Sequence, residues 1–311
     1  MAALRLPWWQ RWPDPMQCPI CRSSDLTPVP FDRIPEVDVI VARHGLGAGY
    51  GWLLCRTCGN AAPSEQPDRA VLSEYWQTNR TTSDAPAAWE YRRKIARIGA
   101  ERSWARFAPL YTGAKPGRFL DIACGLGATV RRFQDGGWTA SGIDADGTTK
   151  VHHDHFGIDT RIGQIEDQTW PDRFDLVQIA YAIYFITDPG AYLARLRDVI
   201  APDGTLAIVM ADLLASTQQG GPSYLHTWLP TPESLQVALS LAGYRTVLCE
   251  RVHDSWFIAA KPGQSAPPPI NGNAIWLAHR TREMRWRAIG APRARLKRLI
   301  APVLLRWRHP E

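Results

Sequence analysis

The sequence contains few cysteines and no long apolar run. Six cysteines in 311 residues are too few for the disulfide-dense scaffolds of small secreted proteins. The longest apolar runs near the C-terminus, such as residues 300–305, are far shorter than the roughly 20 residues of a membrane-spanning helix. Residues 1–12 are interrupted by arginine and proline and lack the apolar segment of a signal peptide. We therefore expect a cytoplasmic protein.

Positive charge is concentrated in the C-terminal segment. The chain has 36 Lys and Arg against 30 Asp and Glu, a formal net charge of +6. Residues 280–311 contain ten basic and two acidic residues, a net +8, which leaves −2 for the rest of the chain. A nearly neutral body with 45% hydrophobic residues is typical of a globular protein of about two domains.

Four segments differ in composition and hydrophobic pattern. Residues 1–66 read as short strands between turns, and residues 67–116 have the periodicity of a helical connector or lid. Residues 117–262 alternate strands with stretches long enough for helices, which predicts an α/β fold with a mainly parallel, Rossmann-like sheet. Residues 263–311 form a Pro-rich linker and a basic, amphipathic helical tail.

Seven strands are predicted in the third segment. They cover residues 118–123, 139–143, 160–165, 174–180, 204–210, 246–251 and 256–260. Only four residues separate the last two strands, so these two are expected to pair as an antiparallel hairpin. The other strands are joined through helical crossovers and are expected to be parallel.

Two C-x-x-C pairs lie in the first segment, Cys18-Pro-Ile-Cys21 and Cys55-Arg-Thr-Cys58. Together they supply the four thiolates that complete a tetrahedral zinc site. Redox chemistry would need a C-x-x-C at the start of a helix in a βαβ unit, a setting that neither pair has. Iron–sulfur chemistry is the other alternative. Because four protein ligands leave no position for water or substrate, the predicted zinc ion is structural.

Residues 119–129 predict a strand, a glycine turn and a helix, with the pattern D-x-x-C-G-x-G. Asp121 lies in the strand, and Gly125 and Gly127 allow the backbone to approach a ligand closely. Val130 stands where a dinucleotide fingerprint has its third glycine, which favours a different cofactor. At this motif the chain resembles the class I S-adenosylmethionine-dependent methyltransferases, whose first motif has the same form.

The resemblance implies an S-adenosylmethionine site built from the ends of successive strands. Asp144, at the end of the second strand, is expected to accept hydrogen bonds from the ribose hydroxyls. After the third strand, Gln164 is expected at the edge of the adenine and Ile165 on its face, with Glu166 beside them. The fourth strand leads to Tyr181, which is expected to face the crevice.

A narrower resemblance is to bacterial methyltransferases with an N-terminal zinc-binding module, among them sugar C-methyltransferases and enzymes of glycan or natural-product pathways. It implies a small-molecule or glycan acceptor, such as a nucleotide-linked or lipid-linked sugar. It also implies that Tyr75 and Trp76 help to close the site. Packing of both rings on the zinc module is an equally open alternative.

This chain departs from its zinc-bearing relatives at the residues expected to supply the catalytic base. Zinc-bearing relatives often have a Glu-His pair where this chain has Tyr184 and Phe185, which keeps open a non-catalytic protein that binds S-adenosylmethionine or another partner. His226 lies in the loop expected to cover the acceptor, and histidine has a pKa suited to base catalysis. We rank His226 first as base, ahead of Tyr184 and Tyr181; a simple polar contact is the alternative for His226.

Other conspicuous residues are interpreted as structural. Cys124, beside the glycine turn, is expected to be a small packing residue, and Cys249 to lie in the core. His152, His153 and His155 fall on the helix after the second strand. Their side chains point in different directions there, which favours a solvated helix face over a metal site.

The tail over residues 275–308 spaces Trp and Leu among ten basic residues. This pattern is typical of a helix that lies on an anionic membrane surface, here the inner face. The alternatives are a helix packed on the methyltransferase domain with solvated arginines, and a different anionic partner. Nucleic acid is disfavoured because no nucleic-acid module is recognisable. The sequence leaves the oligomeric state open.

Overall fold

The computed structural model describes residues 16–29, 51–64, 72–74, 76, 86–158, 160–211, 225–253, 255–285 and 288, without the side chains of residues 86–88, 166, 283 and 285. Tyr75, expected to help close the site, lies outside the described residues, as does most of the basic tail beyond residue 285. Among the described residues, no helix is both long and apolar enough to cross a membrane.

A seven-stranded sheet forms the centre of the molecule. Its strands are β4 (Arg118–Ile122), β5 (Thr139–Asp144), β6 (Thr160–Ile162), β7 (Phe174–Ala180), β8 (Ile200–Ala211), β9 (Tyr244–Val252) and β10 (Ser255–Pro262). The spatial order is β6-β5-β4-β7-β8-β10-β9. The pairs from β6 to β8 are parallel, and β10 is antiparallel to both β8 and β9. The predicted α/β fold and the final hairpin are therefore confirmed.

One predicted strand is shorter than expected. The strand predicted over residues 160–165 ends at Ile162, because the next residue, Gly163, has φ +136° and turns the chain out of the sheet. Residues 165–167 then form one turn of 3₁₀ helix. The turn places Gln164 and Ile165 beside the carboxyl end of β5 rather than within the sheet.

Within the described ranges, six helices have both ends defined. They are α1 (Pro86–Phe107), α2 (Ala128–Asp135), α3 (Lys150–Phe156), α4 (Pro189–Val199), α5 (Pro232–Leu241) and α6 (Gly272–Arg285). The start of α4 is fixed by Asp188, whose carboxylate accepts the N–H of Ala191 at 3.1 Å. The start of α5 is fixed by a capping box between Thr231 and Ser234.

Apolar side chains cover both faces of the sheet, as expected for a largely parallel sheet. On one face, Phe119 stacks on Phe133 of α2 with ring centroids 3.8 Å apart. On the other face, Leu120 belongs to a cluster that also contains Leu193 of α4. This second cluster continues into the N-terminal segment, where it includes Cys55. The N-terminal segment and the sheet domain therefore share a core.

The N-terminal segment is a small antiparallel sheet. Its strands are β1 (Leu26–Val29), β2 (Trp52–Cys55) and β3 (Ala61–Pro63), in that spatial order. The backbone of Ala61 also pairs with Leu229: the Ala61 N–H donates to Leu229 at 3.1 Å, and the Leu229 N–H donates back at 2.7 Å. This bridge links the N-terminal sheet to the segment that precedes α5.

The first part of the basic tail packs on the N-terminal sheet. The Trp276 Nε1–H donates to the carbonyl of Pro28 at 3.2 Å. Ile275 and Trp276 pack on a cluster that includes Trp52 and Leu229. The sequence left this helix open to packing on the methyltransferase domain or to lipid contact. The part of the tail that forms α6 packs mainly on the N-terminal sheet.

Two expectations about burial were wrong. His152 and His153 are 2% and 0% exposed, and only His155 of the three lies on the solvated face. His153 faces the glycine turn, and the His152 ring packs on Trp89 of α1, with ring centroids 4.1 Å apart. Cys249 is exposed rather than buried. The cause is its place in β9, which is the last strand of the sheet and pairs only with β10.

Candidate active site

A glycine turn links the end of β4 to α2. Gly125 and Gly127 have φ of +52° and +81°, the left-handed region that glycine adopts without strain. A Cβ on Gly127 would lie 2.1 Å from Ile158 Cδ1, whereas a Cβ on Gly125 would meet no atom within 4 Å. Gly127 is thus required by packing, and Gly125 borders open space. Ala123 also has a positive φ, +56°, a strained conformation of the kind that clusters at functional sites.

Asp144 anchors the turn from one side. Its Oδ2 accepts the N–H of Gly125 at 2.7 Å, and its Oδ1 accepts the N–H of Asp146 at 2.8 Å. Burial raises the pKa of Asp144, while the two backbone N–H groups oppose that rise. Each carboxylate oxygen has a second lone pair, so the carboxylate retains capacity to accept hydrogen bonds from a ligand.

His153 anchors the same turn from the other side, and sequence reasoning missed this role. Its Nε2 lies 2.8 Å from the carbonyl oxygen of Gly125. A carbonyl only accepts, so Nε2 carries the proton of this hydrogen bond, while Nδ1 is hydrogen-bonded to the hydroxyl of Thr160. The imidazole therefore clamps the turn through both of its ring nitrogens. A helical histidine gives no sequence signal that separates such a clamp from a solvated side chain.

Asp121 is a second buried acid at the end of β4. It is 2% exposed and accepts a hydrogen bond from Gln178 Nε2 at 3.2 Å. Burial raises the pKa of Asp121 to about 8, with a smaller contribution from the negative charge of Asp144, and the bond from Gln178 opposes the rise. Two acids at adjacent strand ends favour a cationic ligand between them.

A cavity of about 840 Å³ opens beside the turn. Six of the eight residues predicted to bind the cofactor line it: Asp121, Gly125, Asp144, Gln164, Ile165 and Tyr181. Gly127 lies behind the turn, where it starts α2. Glu166 lies in the 3₁₀ turn after β6, and its side chain is outside the described residues. The remaining lining is rich in aromatic and aliphatic groups, including Trp76, Trp89, Ile95, Ile98, Phe185 and Tyr192.

Tyr181 stands at the edge of this cavity in a strained conformation. Its φ is +55°, which is rare for a bulky residue. The Tyr181 hydroxyl lies 2.6 Å from Ser255 Oγ, and the side chain is 49% exposed. The hydroxyl is therefore held in place by Ser255 on a half-exposed residue.

His226 and Tyr184 are not among the described residues that line the cavity. The His226 ring stacks on Phe185 with centroids 5.2 Å apart, and Phe185 in turn contacts Trp76 edge-on at 5.0 Å. Burial lowers the pKa of His226 to about 4. The Tyr184 hydroxyl is hydrogen-bonded to both the N–H and the carbonyl of Ala211. This geometry gives the Tyr184 hydroxyl a structural role beneath the cavity wall.

The four cysteines of the two C-x-x-C pairs converge on one point. Their Sγ atoms all lie within 4.8 Å of one another, and the Cys18–Cys58 and Cys21–Cys55 pairs are each separated by 3.5 Å. A tetrahedron with zinc–sulfur bonds of about 2.3 Å has edges of about 3.8 Å. Four thiolates at this spacing repel one another, and a divalent cation between them offsets that repulsion. The donor set therefore fits zinc.

The two cysteine pairs fold as similar turns. The N–H of Arg22 donates to the carbonyl of Cys18 at 3.0 Å, and the N–H of Gly59 donates to the carbonyl of Cys55 at 2.8 Å. Arg22 and Gly59 both have left-handed φ, +61° and +76°. A Cβ on Gly59 would lie 2.3 Å from Ile275 Cδ1. The second turn therefore needs glycine for its contact with α6.

Comparisons with known proteins agree with this geometry. A family model described as "Methyltransferase domain" matches residues 88–248, which is 161 of the 311 residues. The chain is 28% identical, over 189 residues, to a protein of Rhodopseudomonas palustris (strain HaA2) named "Ubiquinone biosynthesis O-methyltransferase". It is 27% identical over 189 residues to a protein of the same name from Bradyrhizobium sp. (strain ORS 278). Each match covers 55% of this chain and 74% of the relative.

Solved structures with a similar fold include a "SAM dependent methyltransferase from Aquifex aeolicus". The similarity has a TM-score of 0.45 and 18% sequence identity. It covers 57% of this chain and 98% of that chain.

Proposed function

Because the chain belongs to the methyltransferase domain family and is a class I S-adenosylmethionine-dependent methyltransferase, we propose that it transfers the methyl group to a small-molecule or glycan acceptor in the 840 Å³ cavity. One observation carries this proposal. A single cavity joins an acidic end, at Asp121 and Asp144, to an aromatic end, at Tyr181 and Phe185. The acidic end suits a cationic cofactor with ribose hydroxyls, and the aromatic end suits the acceptor.

In this arrangement the cofactor lies across the ends of β4, β5 and β6. Asp144 accepts the ribose hydroxyls, and Gln164 and Ile165 bind the adenine, with Glu166 nearby on the same 3₁₀ turn. Gly125 lets the turn approach the ligand, while Gly127 keeps the turn packed on Ile158. Asp121 faces the positive charge of the cofactor. The methyl group is then directed toward Tyr181, where an in-line attack needs mainly correct positioning.

The aromatic end of the cavity favours an acceptor with a planar or apolar part. Tyr181, Phe185 and Tyr192 offer ring faces and edges there. The relatives' names, which refer to O-methylation in ubiquinone biosynthesis, support an oxygen nucleophile. A sugar acceptor remains compatible, because aromatic rings also pack against the apolar faces of sugars. A non-catalytic protein that only binds the cofactor is the alternative.

Methyl transfer is tested by S-adenosylhomocysteine formation with phenolic, nucleotide-linked and lipid-linked acceptors. Of the three candidate bases, Tyr181 is the one that is found among the described residues lining the cavity. Tyr181→Phe is therefore expected to lower kcat by roughly 100-fold, the scale of one acid–base group. His226→Ala is expected to have a smaller effect because Phe185 separates the His226 ring from the cavity. Cofactor binding without turnover on any acceptor would favour the non-catalytic alternative.

We propose that Cys18, Cys21, Cys55 and Cys58 hold a structural zinc ion. The convergence of the four sulfur atoms supports this proposal. With four protein ligands the ion has no position for an acceptor, so it supplies stability rather than chemistry.

We also propose that the basic tail contacts an anionic membrane surface at the cytoplasmic face. One side of α6 packs on the N-terminal sheet, while Leu277 and Met284 are 58% and 52% exposed and Arg280 lies between them on the outer side. Exposed apolar groups beside arginine suit an anionic lipid interface. Sedimentation with anionic vesicles is expected to fall at least tenfold when residues 270–311 are deleted. Equal sedimentation would contradict the proposal.

A further inference from the structure

A five-residue segment connects the N-terminal module to the wall of the active-site cavity. This segment, residues 225–229, is called the strap, and residues 183–186 are called the wall. Phe185 and Ile186 of the wall line the cavity. The strap contacts the wall through Thr227 and the N-terminal sheet through Leu229. It therefore links the sheet to the wall.

At its C-terminal residue, Leu229, the strap is paired to β3. The reciprocal hydrogen bonds between Ala61 and Leu229 join the two backbones. Leu229 is fully buried and packs with Trp52 of β2. β2 ends at Cys55, and β3 begins three residues after Cys58, so this metal turn sets the geometry of the hairpin. The conformation of the cysteine turn therefore influences the position of Leu229 through the single strand β3.

The two residues before Leu229, Thr227 and Trp228, hold the wall. The Thr227 N–H donates to the carbonyl of Tyr184 at 2.8 Å, and its hydroxyl hydrogen is shared between the carbonyls of Tyr184 and Ile186, at 2.9 and 2.5 Å. The Trp228 Nε1–H donates to the carbonyl of Ile183 at 2.6 Å. Thr227 and Trp228 are 1% and 0% exposed, so water does not compete for these bonds.

We propose that Thr227 and Trp228 are positioning residues for the acceptor, and that the zinc module acts through them to fix the wall. The cofactor turn is held separately, by Asp144 and His153. Loosening the strap should therefore alter the acceptor side of the cavity and leave cofactor affinity intact. The role of the strap in catalysis rests on the proposed zinc ion and on the proposed acceptor site. The hydrogen bonds of the strap are features of the structure and do not depend on either proposal.

Thr227→Val tests the inference, because it removes the hydroxyl hydrogen bonds and keeps the side-chain volume. Hydrogen exchange of the Phe185, Thr227 and Leu229 amides is expected to accelerate about tenfold or more. The Kd for S-adenosylmethionine is expected to stay within about twofold, and turnover with any active acceptor to fall at least tenfold. Thr227→Ser retains the hydroxyl and is expected to restore both exchange and turnover. Thr205→Val, at a buried threonine in the middle of β8, is the matched control.

A second arm removes the metal ligand instead of the hydroxyl. Cys58→Ser is expected to accelerate exchange at Leu229, Thr227 and Phe185 by a clearly larger factor than at β4 and β5, which report the general loss of stability. Unchanged exchange at the strap and wall in both variants would overturn the inference, as would an equal loss of cofactor affinity. Hydrogen exchange can be measured without an acceptor. If no acceptor gave turnover, the proposed function would be contradicted, but the exchange rates would still test the role of the strap.

Discussion

Replacing Cys58 with serine is expected to remove the bound zinc and to lower the melting temperature by roughly 10 °C or more. A structural zinc site contributes folding free energy directly, about 10–16 kcal/mol of apparent binding energy in small zinc-finger peptides at neutral pH. Here the affected turn also carries Gly59, which contacts Ile275 of α6. The loss therefore extends from the metal to the helix packed on it. Elemental analysis and thermal unfolding measure the two effects.

Cys249→Ser provides the matched control, because Cys249 is an exposed cysteine on the edge strand β9. It is expected to retain one equivalent of zinc and the wild-type melting temperature. Wild-type protein without zinc near one equivalent, or a Cys58 variant that kept its metal, would contradict the proposed site. A bound iron–sulfur cluster would be recognised by its visible absorption.

Replacing Asp121 with asparagine is expected to stabilise the cofactor-free protein. The folded-state pKa of Asp121 is about 8, against 3.8 for the free side chain. Because the folded-state pKa is raised, stability from this group is complete below pH 3.8 and declines as the pH rises toward 8. At pH 7 the decline amounts to at most about 4 kcal/mol, which Asn avoids because it cannot ionise. A rise in melting temperature of roughly 5 °C at pH 7, and little change at pH 4, is the expected result.

The same substitution is expected to weaken cofactor binding at high pH. A cationic cofactor favours ionised Asp121, so wild-type affinity should rise with pH between 6 and 8, by at most about tenfold per unit. Asp121→Asn removes this dependence and should weaken binding roughly 10- to 100-fold at pH 8.5. Titration calorimetry at several pH values measures both effects.

Asp135→Asn, at an exposed acid paired with Arg131, is the control and should change neither stability nor affinity appreciably. If Asp121→Asn destabilised the cofactor-free protein at pH 7, the raised pKa would be wrong. If its cofactor affinity stayed at the wild-type value at pH 8.5, Asp121 would have no role in binding the cofactor.

The sequence predicted the sheet well because its signals are local. β7 has the predicted bounds, Phe174–Ala180, since an apolar run flanked by turn residues is recognisable without tertiary information. The glycine turn after β4 was predicted for the same reason: an acid, two glycines and a following helix are adjacent in the chain. The convergence of four cysteines also follows from spacing and ligand chemistry.

Burial of polar side chains was predicted poorly, because it depends on which face of an element meets the rest of the molecule. His153 and Asp154 are neighbours on α3, yet the first clamps Gly125 and the second is exposed. The contacts of Thr227 with the wall join residues more than 40 positions apart. No periodicity within one segment encodes a contact at that separation. The tail's packing on the N-terminal sheet was missed for the same reason.

The contact between Trp276 and Pro28 has a consequence for the order of folding during synthesis. These residues are 248 positions apart, so the N-terminal sheet emerges from the ribosome long before α6 exists. β8 likewise exposes an open edge until β10, its antiparallel neighbour, has been made. Such distant contacts slow folding and leave apolar surface temporarily uncovered. The N-terminal sheet is thus translated before α6 but completed only after it, and a nascent chain that ends before residue 276 should depend most on chaperones.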